Sequence, residues 1–258
     1  MTLSIQSCAR SISGRRRRNE DAYFVDPEGR VFAVLDGMGG SAGGDVASSL
    51  AAEAIATFFM TIANDPDATW PYALDVNRSL LENQLDAAIR LANRRVRSQR
   101  HDAHASMGTT VASLAIAGER AVLAHVGDSR VYRLRAGVLT QLTRDHSLYE
   151  QLLADGVSLP PLSEFIHANI ITRALGAQDD ERPELGRVDA RAGDRFLLCT
   201  DGLSGDLEPE RIAALLGAGT VEQAAEALVD AAFEAGSRDN ITVVVVELGG
   251  RSPGFDAA

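Results

Sequence analysis

Several carboxylates in this chain stand where an apolar run gives way to glycine or asparagine. In VFAVLDGMGG the run stops at Asp36 with Gly37 next to it, and RFLLCT runs into Asp201-Gly202. SRDN sets Asp239 before ITVVVVEL, NED sets Glu20 and Asp21 before a strand-like stretch, and GDSR holds Asp128 between two apolar runs. Alone, each is by default a turn, because Asp and Gly are common turn residues for conformational reasons. A glycine after the carboxylate also leaves its carbonyl unshielded and lets a metal or a phosphate approach the chain. Gathered in one place, Asp21, Asp36, Asp201 and Asp239 would repel one another and bind protons tightly unless cations neutralised them. All-oxygen donors without cysteine or an obvious histidine select Mg²⁺ or Mn²⁺. Two such ions, about 3.5 to 4 Å apart, can hold a bridging water acidified towards hydroxide. The arginines of GRRRRNED are by default a solvated run, but a guanidinium beside a metal can grip a phosphoryl group with two parallel bonds. These parts together describe metal-assisted hydrolysis of a phosphate ester.

The elements that must position these residues follow from periodicity. Leu3 to Ser11 alternates as a first strand, and Tyr23 to Val25 with Arg30 to Leu35 forms a hairpin that brings Glu20 and Asp21 near Asp36. Val46, Leu50, Ala54 and Phe58 recur every fourth residue, which predicts a helix from Asp45 to about Ile62. Leu74, Leu81, Leu85, Ala88, Ala92 and Val96 predict a second. Closely spaced strands follow over Thr109 to Ile116, Ala121 to Val126, Val131 to Leu134 and Leu139 to Leu142, so they pair antiparallel. Ser147 to Glu150 has the form of a capping box opening a short helix, and Gly156 to Asn169 reads as a surface loop. A buried strand runs from Arg195 to Thr200, helices from about Pro209 to Leu216 and from Thr220 to Ala235, and a last strand follows Asp239. This order fits an antiparallel sheet sandwich flanked by helices and not repeated βα units.

The 258 residues are 45% hydrophobic and carry a formal charge of -11, enough for a sizeable core under an acidic surface. That sign opposes nucleic-acid binding, which draws on phosphate neutralisation. No signal-peptide core and no uninterrupted apolar run of membrane-spanning length is read, so the expectation is a cytoplasmic protein. Cys8 and Cys199 lie in apolar strands without metal or disulfide spacing and read as buried thiols.

RRRNEDA, VLDGMGG, MGTT, HVGDSR, LTRDHS, TRALG, TDGL and SRDNITVVVV occur in this order over nearly the whole chain. In these motifs the sequence resembles the metal-dependent serine/threonine protein phosphatases of the protein phosphatase 2C (PP2C, PPM) family in their compact bacterial form. The resemblance implies an α+β fold, a four-layer αββα sandwich of two mainly antiparallel sheets flanked by helices, over residues 1–248 with a flexible tail at 249–258. It implies two Mn²⁺ or Mg²⁺ ions bridged by Asp36, one of them bound by the Gly37 carbonyl, with Asp201 and Asp239 completing the pair. Glu20 and Asp21 would act through metal waters, and Asp128 would bind a third ion. Arg16 would bind the substrate phosphate and share the catalytic role with Asp36, leaving Arg15, Arg17 and Arg18 solvated.

Two positions depart from the family pattern. Met38 stands where many eukaryotic members carry a histidine taken as general acid, which implies protonation from a metal-bound water; His146, near in motif order, reads as structural. Gly205 stands where many members have a further third-metal aspartate, with Asp206 one residue later. The implied activity is dephosphorylation of phosphoserine and phosphothreonine in proteins by a monomer, opposite a Hanks-type kinase, without nucleic acid or membrane as partner. The competing classes are a phosphoprotein-binding regulatory module of the same fold with little turnover, and a metal-dependent phosphatase or nuclease acting on small molecules or nucleic acid.

Overall fold

The computed structural model describes residues 3–39, 43–65, 67–101 and 105–251. One sheet has the order β1 (Leu3–Ile12), β11 (Ile241–Arg251), β10 (Arg195–Cys199), β7 (Arg130–Arg135) and β8 (Val138–Gln141). The other runs β2 (Asp21–Val25), β3 (Val31–Met38), β5 (Val111–Ala117), β6 (Arg120–Val126) and β9 (Glu184–Asp189), with the short β4 (Gly108–Thr109) also on β3. The named strand pairs are antiparallel.

Helices α1 (Gly44–Asn64) and α2 (Leu80–Ser98) cover the second sheet. The first is covered by the one-turn α4 (Asp201–Ser204), α5 (Pro209–Leu216) and α6 (Val221–Ala235). The remaining helix, α3 (Leu148–Ala154), contributes no buried residue.

The alternation of apolar side chains explains the layers. In β3, Val31, Ala33 and Leu35 enter the core under α1 and α2, while Phe32 and Val34 enter the core between the sheets. In β11, Ile241, Val243 and Val245 face α6, and Val244, Val246 and Leu248 face the other sheet. A strand buried on both faces must be apolar throughout, which is why these segments read as unbroken hydrophobic runs.

Several boundaries differ from expectation. β3 continues through Asp36 to Met38, because Gly37 and Met38 pair with Thr109 and Gly108. Asp36 therefore lies inside a strand. The second helix starts at Leu80, where Ser79 and Glu82 form a reciprocal capping box, and Leu74 is an exposed residue ahead of it. β9 escaped the sequence reading: ELGRVD contains a glycine and three charged residues, and its register on β6 is what makes it a strand. The last strand reaches Arg251, three residues into the expected tail, by pairing with β1; Gly40 and residues 252–258 lie outside the described residues. Contrary to expectation, α1 is long and apolar enough to cross a membrane, with a mean hydropathy of 1.6. Its Ala47, Ala51, Ile55, Phe58 and Phe59 are nevertheless buried in the core. Cys8 and Cys199 are free thiols of the α6-side core.

Candidate active site

One edge of the sandwich opens into a cleft of about 670 Å³ lined by Glu20, Asp36, Gly37, Asp128, Asp201 and Asp239, with Arg16 on its wall. Asp21 sits directly behind, register partner of Asp36 across the β2–β3 pair. The structure thus brings together every residue singled out from the sequence for the site. His146 and Asp206 are not among the lining residues, and Met38 is.

The backbone at Asp36 is clamped from β4 and the residue after it. Its N–H donates to Thr110 Oγ1 (3.0 Å), and its carbonyl accepts from the Thr109 hydroxyl (2.9 Å) and the Thr110 N–H (2.9 Å). Thr110 Oγ1 is in turn 2.6 Å from Ser129 Oγ, which ties the strand to the turn bearing Asp128. Thr200 donates its hydroxyl to Asp21 Oδ2 (2.9 Å). Asn240 accepts from the Glu20 N–H (2.8 Å) and donates to the carbonyls of Ser13 (3.0 Å) and Arg18 (2.8 Å), so it holds the arginine loop against the start of β11. Thr110, Thr200 and Asn240 were not singled out from the sequence. The available signal was that each adjoins or nearly adjoins a motif carboxylate or its β4 clamp.

Both Asp-Gly pairs depend on the missing Cβ. A Cβ on Gly37 would lie 2.0 Å from the Gly44 carbonyl oxygen and 2.4 Å from that of Glu20. One on Gly202 would lie 1.9 Å from the Asn240 carbonyl oxygen. These glycines are sites of close backbone approach and not merely turn residues.

The electrostatics are unusual for buried acids. Burial, reinforced by neighbouring aspartates, raises the Asp36 carboxyl well above the ordinary range and pushes Asp21 and Asp128 up to about 7. Burial also raises Asp201 and Glu20. Asp21 Oδ1 and Asp201 Oδ1 are buried with no hydrogen-bond partner. Buried polar atoms are normally satisfied, so two orphaned carboxylate oxygens in a cluster of acids mark a place shaped for cations. The donors are all oxygen, which fits hard divalent ions. Arg16 donates from Nη2 to Asp239 Oδ2 (2.8 Å) and from Nε to the Arg238 carbonyl (3.0 Å), which holds its guanidinium beside the carboxylates.

A second cluster, His125, His146 and Glu184, is not of this kind. The imidazoles stack 4.6 Å apart with planes 11° from parallel, so their in-plane lone pairs do not converge. Arg173 Nη1 lies 3.0 Å from His146 Nε2, where a metal ion would meet a cation. His146 Nδ1 accepts from the Gly127 N–H (3.0 Å), a structural role that supports the turn before Asp128.

Residues 10–235 match the family model described as protein phosphatase 2C. The chain is 38% identical over 255 residues to the serine/threonine protein phosphatase PstP of Mycobacterium tuberculosis, covering 96% of this chain but 46% of PstP, so it spans about half the length of that relative. It is 33% identical to the protein phosphatase PhpP of Streptococcus pneumoniae, covering 91% of this chain and 94% of PhpP. Among solved structures, the M. tuberculosis PstP phosphatase superposes with a TM-score of 0.83 at 37% identity, covering 96% of this chain and 99% of that one. The PstP catalytic domain in complex with two manganese ions gives 0.81 at 37% identity, with coverages of 96% and 100%. With its fold, its motifs and most of its length accounted for in this way, the chain belongs to the protein phosphatase 2C family.

Proposed function

We propose that this chain is a metal-dependent serine/threonine protein phosphatase. The observation that carries the reading is the convergence of Asp21, Asp36, Asp201 and Asp239 on one edge, with orphaned oxygens on two of them and Arg16 alongside. Asp36, Asp201, Asp239 and the Gly37 carbonyl would hold two Mn²⁺ or Mg²⁺ ions, with Glu20 and Asp21 behind them and Asp128 available to a third. When bound, the ions supply positive charge opposite the phosphoryl oxygens and an acidified water as nucleophile. The reaction would join a water oxygen to phosphorus and break the bond from phosphorus to the serine or threonine oxygen, which takes up a proton.

Arg16 binds the phosphoryl group, and its bonds to Asp239 and the Arg238 carbonyl hold the guanidinium in place before substrate arrives, which lowers the ordering cost of binding. Met38 has no ionisable proton, and no histidine lines the cleft among the described residues, so the leaving oxygen would take its proton from water in the open cleft. Asn169, at the end of the loop read from Gly156 to Asn169, lines the cleft as well. Phosphorylated proteins are the substrate class, and the reading extends to a cytoplasmic monomer opposing a Hanks-type kinase. Its test is hydrolysis of p-nitrophenyl phosphate with Mn²⁺: turnover abolished by a chelator and by Asp36→Asn is expected, and a wild-type rate equal to the variant's would reject the enzyme.

A further inference from the structure

The four consecutive arginines have separate fates. Arg15 leaves the cleft and lies over the Phe233 ring, 5.4 Å from its centroid. Arg16 is bound to Asp239. Arg17 and Arg18 also line the cleft, and both are exposed. Among the described residues the Arg18 side chain has only a long ion pair, 3.8 Å to Asp45, and the Arg17 side chain has no hydrogen bond or ion pair.

A charge run on a loose loop would be solvated and no more, but this loop is fastened. The Arg16 N–H donates to the Ser13 carbonyl (3.0 Å), and Asn240 bonds the carbonyls of Ser13, ahead of the run, and of Arg18, its last residue. Gly14, at φ +55°, packs so tightly that a Cβ there would stand 2.3 Å from the Asp239 carbonyl oxygen. The backbone therefore presents Arg17 and Arg18 to the cleft from a fixed position, on a chain whose net charge is -11. Two weakly engaged guanidiniums beside a phosphate-binding arginine are a surface for further anions.

We propose that Arg17 and Arg18 select substrates that carry anionic groups close to the phosphorylated residue, with flanking Asp or Glu side chains as the ligands. This rests on the phosphatase reading above and adds the substrate's sequence chemistry to it. An extended peptide advances about 3.3 Å per residue, so carboxylates one to three residues from the phosphorylated side chain enter the cleft with it. Each exposed guanidinium–carboxylate contact is worth a few-fold in affinity, and salt weakens it.

The experiment measures kcat/KM on phosphothreonine peptides with acidic, neutral or basic flanks at saturating Mn²⁺, for the wild type and for the double variant Arg17→Gln/Arg18→Gln. A second double variant, Arg17→Glu/Arg18→Glu, guards against a small effect, and thermal melting confirms that each is folded. The wild type is expected to favour acidic over basic flanks by roughly tenfold at low salt, the Gln variant to lose most of that ratio and the Glu variant to invert it. A doubly phosphorylated peptide forms a further arm: a gain there larger than with acidic flanks, and lost in the variants, would identify the neighbouring anion as phosphate instead of carboxylate. Equal rates for acidic and basic flanks in the wild type, or a ratio unchanged in both variants, would overturn the proposal. p-Nitrophenyl phosphate has no flanking residues and separates the two levels. Wild-type turnover of it without any flank preference sinks only the role of Arg17 and Arg18, whereas no Mn²⁺-dependent turnover sinks the phosphatase reading and this inference with it.

Discussion

The protein draws two sets of acidic side chains wholly or partly out of solvent and treats them in opposite ways. Away from the cleft, each acid has an arginine: Arg135 grips Asp194 through Nε (2.6 Å) and Nη2 (2.7 Å), Arg130 grips Asp145 (3.0 and 2.6 Å), and Arg173 bonds Glu181 Oε1 (3.0 and 2.7 Å). At the cleft, Asp21, Asp36, Asp128 and Asp201 face mainly one another, and none of the four is in an ion pair among the described residues; the Arg16 guanidinium reaches Asp239 instead. The first arrangement is complete within the fold. The second leaves a deficit of positive charge that a divalent ion can fill, which is how a structural carboxylate differs from one kept for chemistry.

Substitution should separate the two sets by sign. Asp36→Asn is expected to lower kcat by about a thousandfold, since the charge stabilisation supplied by bound metal is worth several kcal/mol. In the presence of chelator the same variant should melt higher than wild type, because one member of a repelling cluster is gone. Asp194→Asn should do the reverse: activity retained and stability reduced by about 3 kcal/mol, as expected on breaking a buried pair, which is a fall in Tm of roughly 10 °C for a chain of this size. A lower melting temperature for chelated Asp36→Asn would break the comparison.

The pH dependence of the chelated protein sharpens it further. Asp21 and Asp128 titrate at about 7 when folded against 3.8 as ordinary aspartates, so the folded chain binds more protons than the unfolded one between these values. Stability from these groups is therefore present on the acid side and lost as pH rises through about 7. Melting curves with chelator should shift down between about pH 5 and pH 8, and added Mn²⁺ should restore the loss most at the upper end. A chelated protein that gains stability over this range would contradict the picture. The smallest effect is expected for Arg16→Ala: a rise of about tenfold in KM for a phosphopeptide, the equivalent of one charge-assisted contact, with an unchanged KM ruling out the role.

Much of this was legible in the sequence because the informative residues are local. Strands buried on both faces, such as β3 and β11, announce themselves as apolar runs, and the capping residues of α6, Thr220 and Gln223, are where the sequence puts them. The hairpin that pairs Asp21 with Asp36 follows from a turn between two short strands. What the sequence hid depends on distant partners. β9 is a strand through its register on β6, and Leu74 matches helix periodicity without joining α2. Thr110, Thr200 and Asn240 matter through hydrogen bonds that span 74, 179 and up to 227 residues. Four arginines in a row look alike until the fold gives one to Phe233, one to Asp239 and two to the cleft.

In its sheet β1 has a single neighbour, β11, with Ile12 opposite Ile241 and Leu3 opposite Arg251. On the ribosome, β1 must therefore wait for β11. Asp239 emerges late for the same reason, 223 residues after its partner Arg16. At about 5 to 20 residues per second, that interval lasts roughly 10 to 50 s. Throughout it the growing polypeptide has an open strand edge that invites pairing with other chains. Nascent chains stalled short of Asp239 would lack one carboxylate of the cleft as well as the partner of β1, so the site can assemble only after Asp239 has emerged.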